Sequence, residues 1–409
     1  MGIRPTAGQL EFLDWEFGVF FHFGLCTFYE GHQDWDGRPM EAAAFCPEQL
    51  DCDSWIRTIK AAGARYAVLV CKHHDGFANW PSAYSDFSVA HTPWKNGKGD
   101  VVKEFTDACR RQGIHIGLYY SPAEAGYTQR TAAEYDDYFI RQIRELLCGY
   151  GRIDYLWFDG CGSEGHRYDE KRIIGEIRRC QPDIRIFNMW DPDTRWVGNE
   201  AGVASVDNAN VVSGVDFSIR TREKEDLNGR RFLPAECDCM MRWDNWFYSE
   251  YDVHTVKSVE ELIGLYYHSV GNGANLLLNV SPDRRGLLPE TDAARLLEFG
   301  EEIRRRFSSP LPGRVTFTGD GVTVELEEEQ LINQVVLAED LTDGEAIEGF
   351  AIQVRARRIY EPLCVSRGSR VGHKRIIPFP PIRAAEVWVT VTGSQGEWKL
   401  AAPAVYYVK

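Results

Sequence analysis

The sequence has no basic run and no nucleic-acid motif, and its formal net charge is -15. Phosphate-backbone binding rests on clustered Lys and Arg and on the counterions they release, so nucleic acid is not an expected partner. None of the 11 cysteines forms a C-x-x-C pair or a His/Cys zinc spacing. Cys237-Asp-Cys239 comes nearest, with its sulfurs too close in sequence for a structural zinc. The cysteines are odd in number and scattered, in settings such as Cys71, Cys109 and Cys148 that read as apolar, so they are expected to be reduced core residues. No window is long and apolar enough to span a bilayer, and the opening Met-Gly-Ile-Arg-Pro-Thr-Ala-Gly carries no apolar signal core. No membrane partner is expected. Cytoplasmic is the default location, with secretion the alternative for a chain already stripped of a leader. Nothing in the pattern specifies an oligomeric state.

What the sequence does contain is length and alternation. Its 409 residues suffice for a barrel of about 250 residues and a smaller second domain. Phe17 to Gly24 is a continuous apolar run closed by His and Gly, the mark of a strand buried on both faces. Trp55, Ile56, Ile59 and Ala62 come next at helical spacing, with Asp53 as the expected cap and Gly63 as the stop. The same alternation gives strands at Tyr66 to Cys71, Ile114 to Ser121, Ile153 to Gly160 and Ile184 to Met189. Helices are expected near Val101 to Ala108, Ala132 to Cys148 and Ile173 to Ile177. A sixth strand is expected at 203–206 or 211–217 and another at Arg231 to Cys237. A helix at Val259 to His268, a strand at Asn275 to Val280 and a helix from Glu290 to Phe307 close the series. Tight βα repeats of this number predict an α/β fold, a (β/α)8-like TIM barrel, over residues 1–309. After Pro310-Leu-Pro-Gly313 the apolar period becomes two, which predicts a small C-terminal antiparallel β-sandwich over 310–409. That domain is expected to be structural, with carbohydrate binding as the lesser option.

Strand ends carry the polar groups. His22 ends the first strand, His73-His74-Asp75 the second, Tyr119-Tyr120-Ser121 the third and Asp159 the fourth. In a barrel, groups at the carboxyl ends of strands converge on one face. Asp159 is either the cap of a turn or a nucleophile. A metal would need a third ligand at set spacing beside the His pair, so none is expected, nor any cofactor. Groups that bond hydroxyls on four consecutive strands fit a small polyhydroxylated substrate.

Phe17-Gly-Val-Phe-Phe-His-Phe-Gly24, Asp34-Trp35, Lys72-His-His-Asp-Gly-Phe77, Gly117-Leu-Tyr-Tyr-Ser121 and Trp157-Phe-Asp-Gly160 together resemble the α-L-fucosidases of glycoside hydrolase family twenty-nine, from about residue 10 to 300. The resemblance implies a barrel with a C-terminal β-sandwich and retaining, metal-free hydrolysis of terminal α-L-fucose. By the family pattern Asp159 matches the nucleophile, while His22, Trp35, His73, His74 and Tyr120 match fucose contacts. Where the family often has Glu-Trp this chain has Asp34-Trp35, and Asp34 is carried over as a substrate contact. Retention needs a second carboxyl about 5 to 5.5 Å from the nucleophile. Glu200, in Trp196-Val-Gly-Asn-Glu, and Glu236, in Pro234-Ala-Glu, are the candidates. The first segment resembles the acid/base segment of the subfamily specific for α-1,3/1,4-linked fucose. Glu200 is therefore the expected acid/base, with Glu236 as a substrate-orienting residue and Trp246 as an apolar wall. Asn279 and Asp283 are expected to fix backbone at the barrel mouth. Two other readings remain: a barrel glycosidase acting on a related sugar such as a galactoside, and a catalytically silent fucose-binding protein.

Overall fold

The computed structural model describes residues 3–32, 38–124, 130–163, 165–221 and 224–409. Helix α1 (Ala7–Trp15) closes the barrel floor and leads into β1 (Phe17–Phe21). Then come α2 (Cys52–Ala62), β2 (Tyr66–Lys72), α3 (Val101–Gln112), β3 (His115–Tyr120), α4 (Ala132–Gly149), β4 (Tyr155–Phe158), α5 (Glu170–Cys180) and β5 (Arg185–Phe187). The remaining barrel strands are β6 (Arg195–Trp196), β9 (Ala235–Met240) and β10 (Asn275–Asn279). They form one parallel sheet in the order β5-β4-β3-β2-β1-β10-β9-β6, nearly closed by a parallel bridge from Phe187 to Thr194. Helices α6 (Val259–His268) and α7 (Glu290–Phe307) complete the outer ring.

Alternation along the strands divides the apolar residues into two cores. Phe20, Val68, Val70, Tyr119, Tyr155, Trp157 and Phe187 fill the barrel. Val19, Phe21, Leu69, Cys71, Leu118, Tyr120, Leu156 and Phe158 face the helices. Strand β2 breaks this parity once. Val70 pairs with Tyr119 and Lys72 with Tyr120, so Cys71 is an extra residue. Such a bulge re-aims the side chains beyond it. Lys72 turns outward to Glu124, at 2.8 Å, and His73 turns into the barrel mouth.

Some expectations need correction. Asp51, not Asp53, caps α2, accepting from the Ser54 amide at 2.8 Å, while Asp53 pairs with Arg111. The sixth barrel strand lies at neither expected place. It is the two-residue β6, too short to show any periodicity. Segment 211–217 forms instead β7 (Val211–Asp216), paired antiparallel with β8 (Lys224–Phe232) in a hairpin outside the barrel. Its alternation is real, but its partner is the next strand and not the sheet. Pro234 ends that hairpin, so the barrel strand expected from Arg231 begins at Ala235. Finally, Cys148 is not apolar core: it is exposed at the end of α4, its Sγ 2.8 Å from that of Cys180.

The C-terminal β-sandwich is antiparallel: β11 (Gly313–Phe317), β12 (Gly321–Leu337), β13 (Ile347–Ala356), β14 (Ile359–Gly368), β15 (Arg375–Ser394) and β16 (Ala404–Tyr406). Register shifts in the long strands β12 and β15 let them bend around their own core of Val324, Ile332, Ile352 and Val389. The domain docks on the α6 and α7 side. The Arg375 guanidinium donates to Asn272 and to the Val206 carbonyl, both at 2.9 Å, and the Tyr406 hydroxyl donates to the Phe307 carbonyl. None of its residues lines the cavity at the barrel mouth.

Candidate active site

The carboxyl ends of the strands surround a cavity of about 280 Å³. Asp159 comes just after β4, on the inward parity of Tyr155 and Trp157. Its Oδ1 accepts the Cys161 amide at 2.8 Å, and its Oδ2 accepts the Tyr119 hydroxyl at 2.9 Å and faces His74 Nε2 at 3.3 Å. Burial alone would push this carboxyl up; His74, the Cys161 amide and Tyr119 outweigh it and hold it below the ordinary carboxylate value. The group is thus ionised at neutral pH, with 24% of its side chain open to the cavity. Gly160 is required just behind it, because a Cβ there would sit 2.0 Å from the Phe217 carbonyl oxygen.

The imidazoles differ in role. Ser121 Oγ donates its single hydrogen to the Ala123 carbonyl, so it accepts from His74 Nδ1 at 2.6 Å and fixes that ring against Asp159. His22 Nδ1 meets Asn279 Oδ1 at 2.8 Å while the Asn279 amide donates to the Trp246 carbonyl. Burial pushes His22 down to about 3, so it is neutral and its Nε2 is an acceptor. Burial, and then His74 and His22, likewise hold His73 well below its ordinary value. His73 stacks on Tyr119 at 5.3 Å, and its buried Nδ1 has no partner among the described residues. Trp246 tilts over His22, 4.9 Å between centroids. Its loop is anchored by Arg242, which donates to Asp252, Asp292 and the Ser249 carbonyl, each at 2.8 Å.

Glu200 lies in the loop after β6 and lines the same cavity as Asp159, together with Trp196 and Asp238. Asp238 accepts from the Trp196 indole at 2.6 Å. Burial, and next the charge of Glu200, push its carboxyl well above the ordinary value. Asp238 therefore favours its protonated form beside Glu200.

Two sequence expectations fall outside the cavity. Tyr120 faces the helices, its hydroxyl donating to Gln142 at 2.7 Å and its ring lying under Lys72. Strand parity gives the mouth to Tyr119 instead. Glu236 is inward-facing but one layer too deep. Its carboxylate accepts from Tyr66 (2.6 Å), Trp157 (2.9 Å) and Tyr155 (3.2 Å), it is fully buried, and Trp157 lies between it and the cavity. Burial pushes it up to about 7 against the pull of those three donors. Two residues along β9, Asp238 occupies the mouth position expected of Glu236. Asp34 and Trp35 lie outside the described residues. Sequence reasoning also passes over Asn188, which lines the cavity after β5 and donates to the Asp216 carbonyl at 2.7 Å; an inward strand-end amide is the signal that could have found it. Asn279 holds backbone as expected, and Asp283 accepts the Arg285 and Leu287 amides.

Among the described residues, one group could hold a metal ion: His73, His74 and Asp159, whose ligand atoms lie within 4.8 Å of one another. In this arrangement His74 Nδ1 and both Asp159 oxygens are already engaged by protein donors and acceptors.

Residues 7–305 match the family described as Alpha-L-fucosidase. Alpha-L-fucosidase 1 of Arabidopsis thaliana is 32% identical over 419 residues, an alignment spanning 92% of this chain and 81% of that protein. A glycoside hydrolase 29 family member from an unknown rumen bacterium superposes with TM-score 0.89 at 31% identity, covering 99% of this chain and 77% of that one. A Ruminococcus gnavus fucosidase in complex with fucose shares the fold, with TM-score 0.88 at 24% identity over 100% of this chain and 95% of that one.

Proposed function

The chain belongs to the alpha-L-fucosidase family of glycoside hydrolases, and on that premise we propose that it is a retaining exo-enzyme with Asp159 as nucleophile and Glu200 as acid/base. The observation that carries this reading is the pairing of an ionised Asp159, held by the Cys161 amide and the Tyr119 hydroxyl beside His74, with Glu200 in the lining of the same cavity.

Asp159 attacks the anomeric carbon of a terminal α-L-fucose while Glu200 gives its proton to the departing glycosidic oxygen. A fucosyl ester on Asp159 and a Glu200 carboxylate result. Water then enters, Glu200 takes its proton, and the hydroxide attacks the same carbon, freeing fucose with its configuration retained. The His74 and Tyr119 bonds orient the nucleophile's oxygen and match its charge before and after the ester stage. His22, His73 and Asn188 present acceptors and donors to sugar hydroxyls, and Trp246 gives an apolar face to the sugar. Asp238 keeps a proton within reach of Glu200. Glu236 supports Trp157 from beneath and does not touch substrate.

The substrate is a fucosylated oligosaccharide with α-1,3 or α-1,4 linkage. That choice is supported by the Trp196 to Glu200, Pro234 to Glu236 and Trp246-Phe-Tyr248 segments, which resemble the subfamily with this preference. In Glu200→Ala, azide should restore turnover of an activated aryl fucoside and give a fucosyl azide of retained configuration. Rescue confined to Asp238→Ala would move the acid/base role to Asp238. A higher rate on nitrophenyl galactoside than on the fucoside would overturn the sugar assignment.

A further inference from the structure

Beside the catalytic cavity lies a second hollow, about 380 Å³, between the loop after β4, the end of β5 and the β7–β8 hairpin. Phe217 lines both. On the far side of Phe217 stand Trp190 and Tyr168, with centroids 5.3 Å apart, and the carboxylates of Glu170 and Glu225.

Two features set this hollow apart from an accidental crevice. Asn188 and Trp190 both have left-handed backbone, φ 62° and 61°, a conformation that costs free energy in any residue with a Cβ. The pair of turns sends Asn188 into the catalytic cavity and Trp190 into the second hollow, with Met189 buried between them. Trp190 is braced from behind by Phe158 and Phe139, at 5.1 and 5.9 Å, leaving it half-buried. The second feature is Glu225, whose Oε2 is buried without a hydrogen-bond partner among the described residues. A buried carboxylate oxygen left so is costly unless a donor arrives. An aromatic face beside an unused acceptor is what a pyranose needs, since its C–H face packs on a ring and its hydroxyls donate outward.

We infer that this second hollow is a subsite for a neutral sugar unit of the leaving oligosaccharide, with Trp190 as its platform and Glu225 as its hydroxyl acceptor. The inference rests on the fucosidase reading and adds where the rest of the substrate goes. A substrate with a second sugar branch spans both hollows across Phe217, whereas an aryl fucoside fills only the first.

The test compares kcat/KM for nitrophenyl fucoside and for a branched fucosylated tetrasaccharide in the full chain and in Trp190→Ala, Trp190→Phe and Glu225→Gln. On the aryl fucoside all three variants should stay within about twofold of the unsubstituted chain. On the tetrasaccharide, Trp190→Ala should lose about tenfold or more, mainly through KM, since loss of one packing ring in a sugar site is felt at that scale. Glu225→Gln should lose several-fold, and Trp190→Phe should recover most of the Trp190→Ala loss. Equal losses on both substrates would mean that these residues only support the fold, and unchanged tetrasaccharide kinetics would mean that the hollow is empty during turnover; either overturns the subsite. If the unsubstituted chain cleaves neither fucoside, the parent reading fails together with it. An active unsubstituted chain whose variants show no selectivity defeats the subsite alone.

Discussion

One wall of the catalytic cavity is made by strands and the other by loops. His22, Tyr119 and Asp159 stand on β1, β3 and β4 or one step beyond, held by sheet hydrogen bonds and by neighbours on the same inward face. Glu200, Trp246 and Asn188 stand on connecting segments; Trp246 is fixed by Asn279 and the Arg242 ion pairs, Asn188 by the Asp216 carbonyl. In the proposed mechanism the strand wall holds the group that must not move, the ionised Asp159. The loop wall holds Glu200, which in that mechanism must serve leaving groups of different shape.

Substitutions on the two walls should therefore fail in different ways. The largest effect belongs to the strand wall: Asp159→Asn should lower kcat by about 10⁴-fold or more on every fucoside, as loss of a nucleophile does. On the loop wall, Glu200→Ala should cost about 10² to 10⁴ on an oligosaccharide. It should cost far less on a dinitrophenyl fucoside, whose leaving group needs no proton; equal losses on both would erase the distinction between the walls. Tyr119→Phe should cost about tenfold in kcat/KM, the scale of one lost charge-assisted hydrogen bond. Because Tyr119 lowers the Asp159 value, its removal should also move the acid limb of the pH profile upward. Tyr120→Phe should leave that profile in place and cost only about 1 kcal/mol of stability through the lost Gln142 bond.

The smallest effect on turnover lies outside both walls. Glu339, in the β-sandwich, accepts the Ala346 and Ile347 amides on one oxygen, and burial pushes it from 4.5 to about 7. Its folded form holds the proton more tightly than the unfolded form. Stability should thus fall as pH rises from 4.5 to about 7, at ~1.36 kcal/mol per pH unit, and level off above. Glu339→Gln should remove about 3 kcal/mol of that loss, seen by denaturant unfolding at pH 5 and 8, with the fucosidase rate unchanged. A slope of the same sign from Glu236 should remain.

The two walls also differ in how far they can be read from the chain. The apolar runs of the first half and the helical spacing are legible because long, strongly patterned elements repeat: α6, α7 and the first five strands appear close to where apolar spacing puts them. Asp159 is legible for the same reason, being the polar end of an apolar run. Parity is not. Whether Tyr119 or Tyr120 faces in depends on which face of β3 meets the barrel axis, and His73 reaches the mouth only through the bulge at Cys71, a fact of pairing between strands. On β9 the same ambiguity of depth favours Glu236 over Asp238. The loop wall is the least legible, since a two-residue strand carries no period and the β7–β8 hairpin imitates one. Glu200 is found there through resemblance and not through pattern.

Retaining hydrolysis through Asp159 requires that this residue carry the sugar between the two steps. Incubation with 2-deoxy-2-fluorofucosyl fluoride, then proteolysis and peptide mass spectrometry, should find the fluorofucosyl group on Asp159 as a single ester. Recovery of the label on Glu200 or Asp238, or release of fucose with inverted configuration and no label, would contradict it.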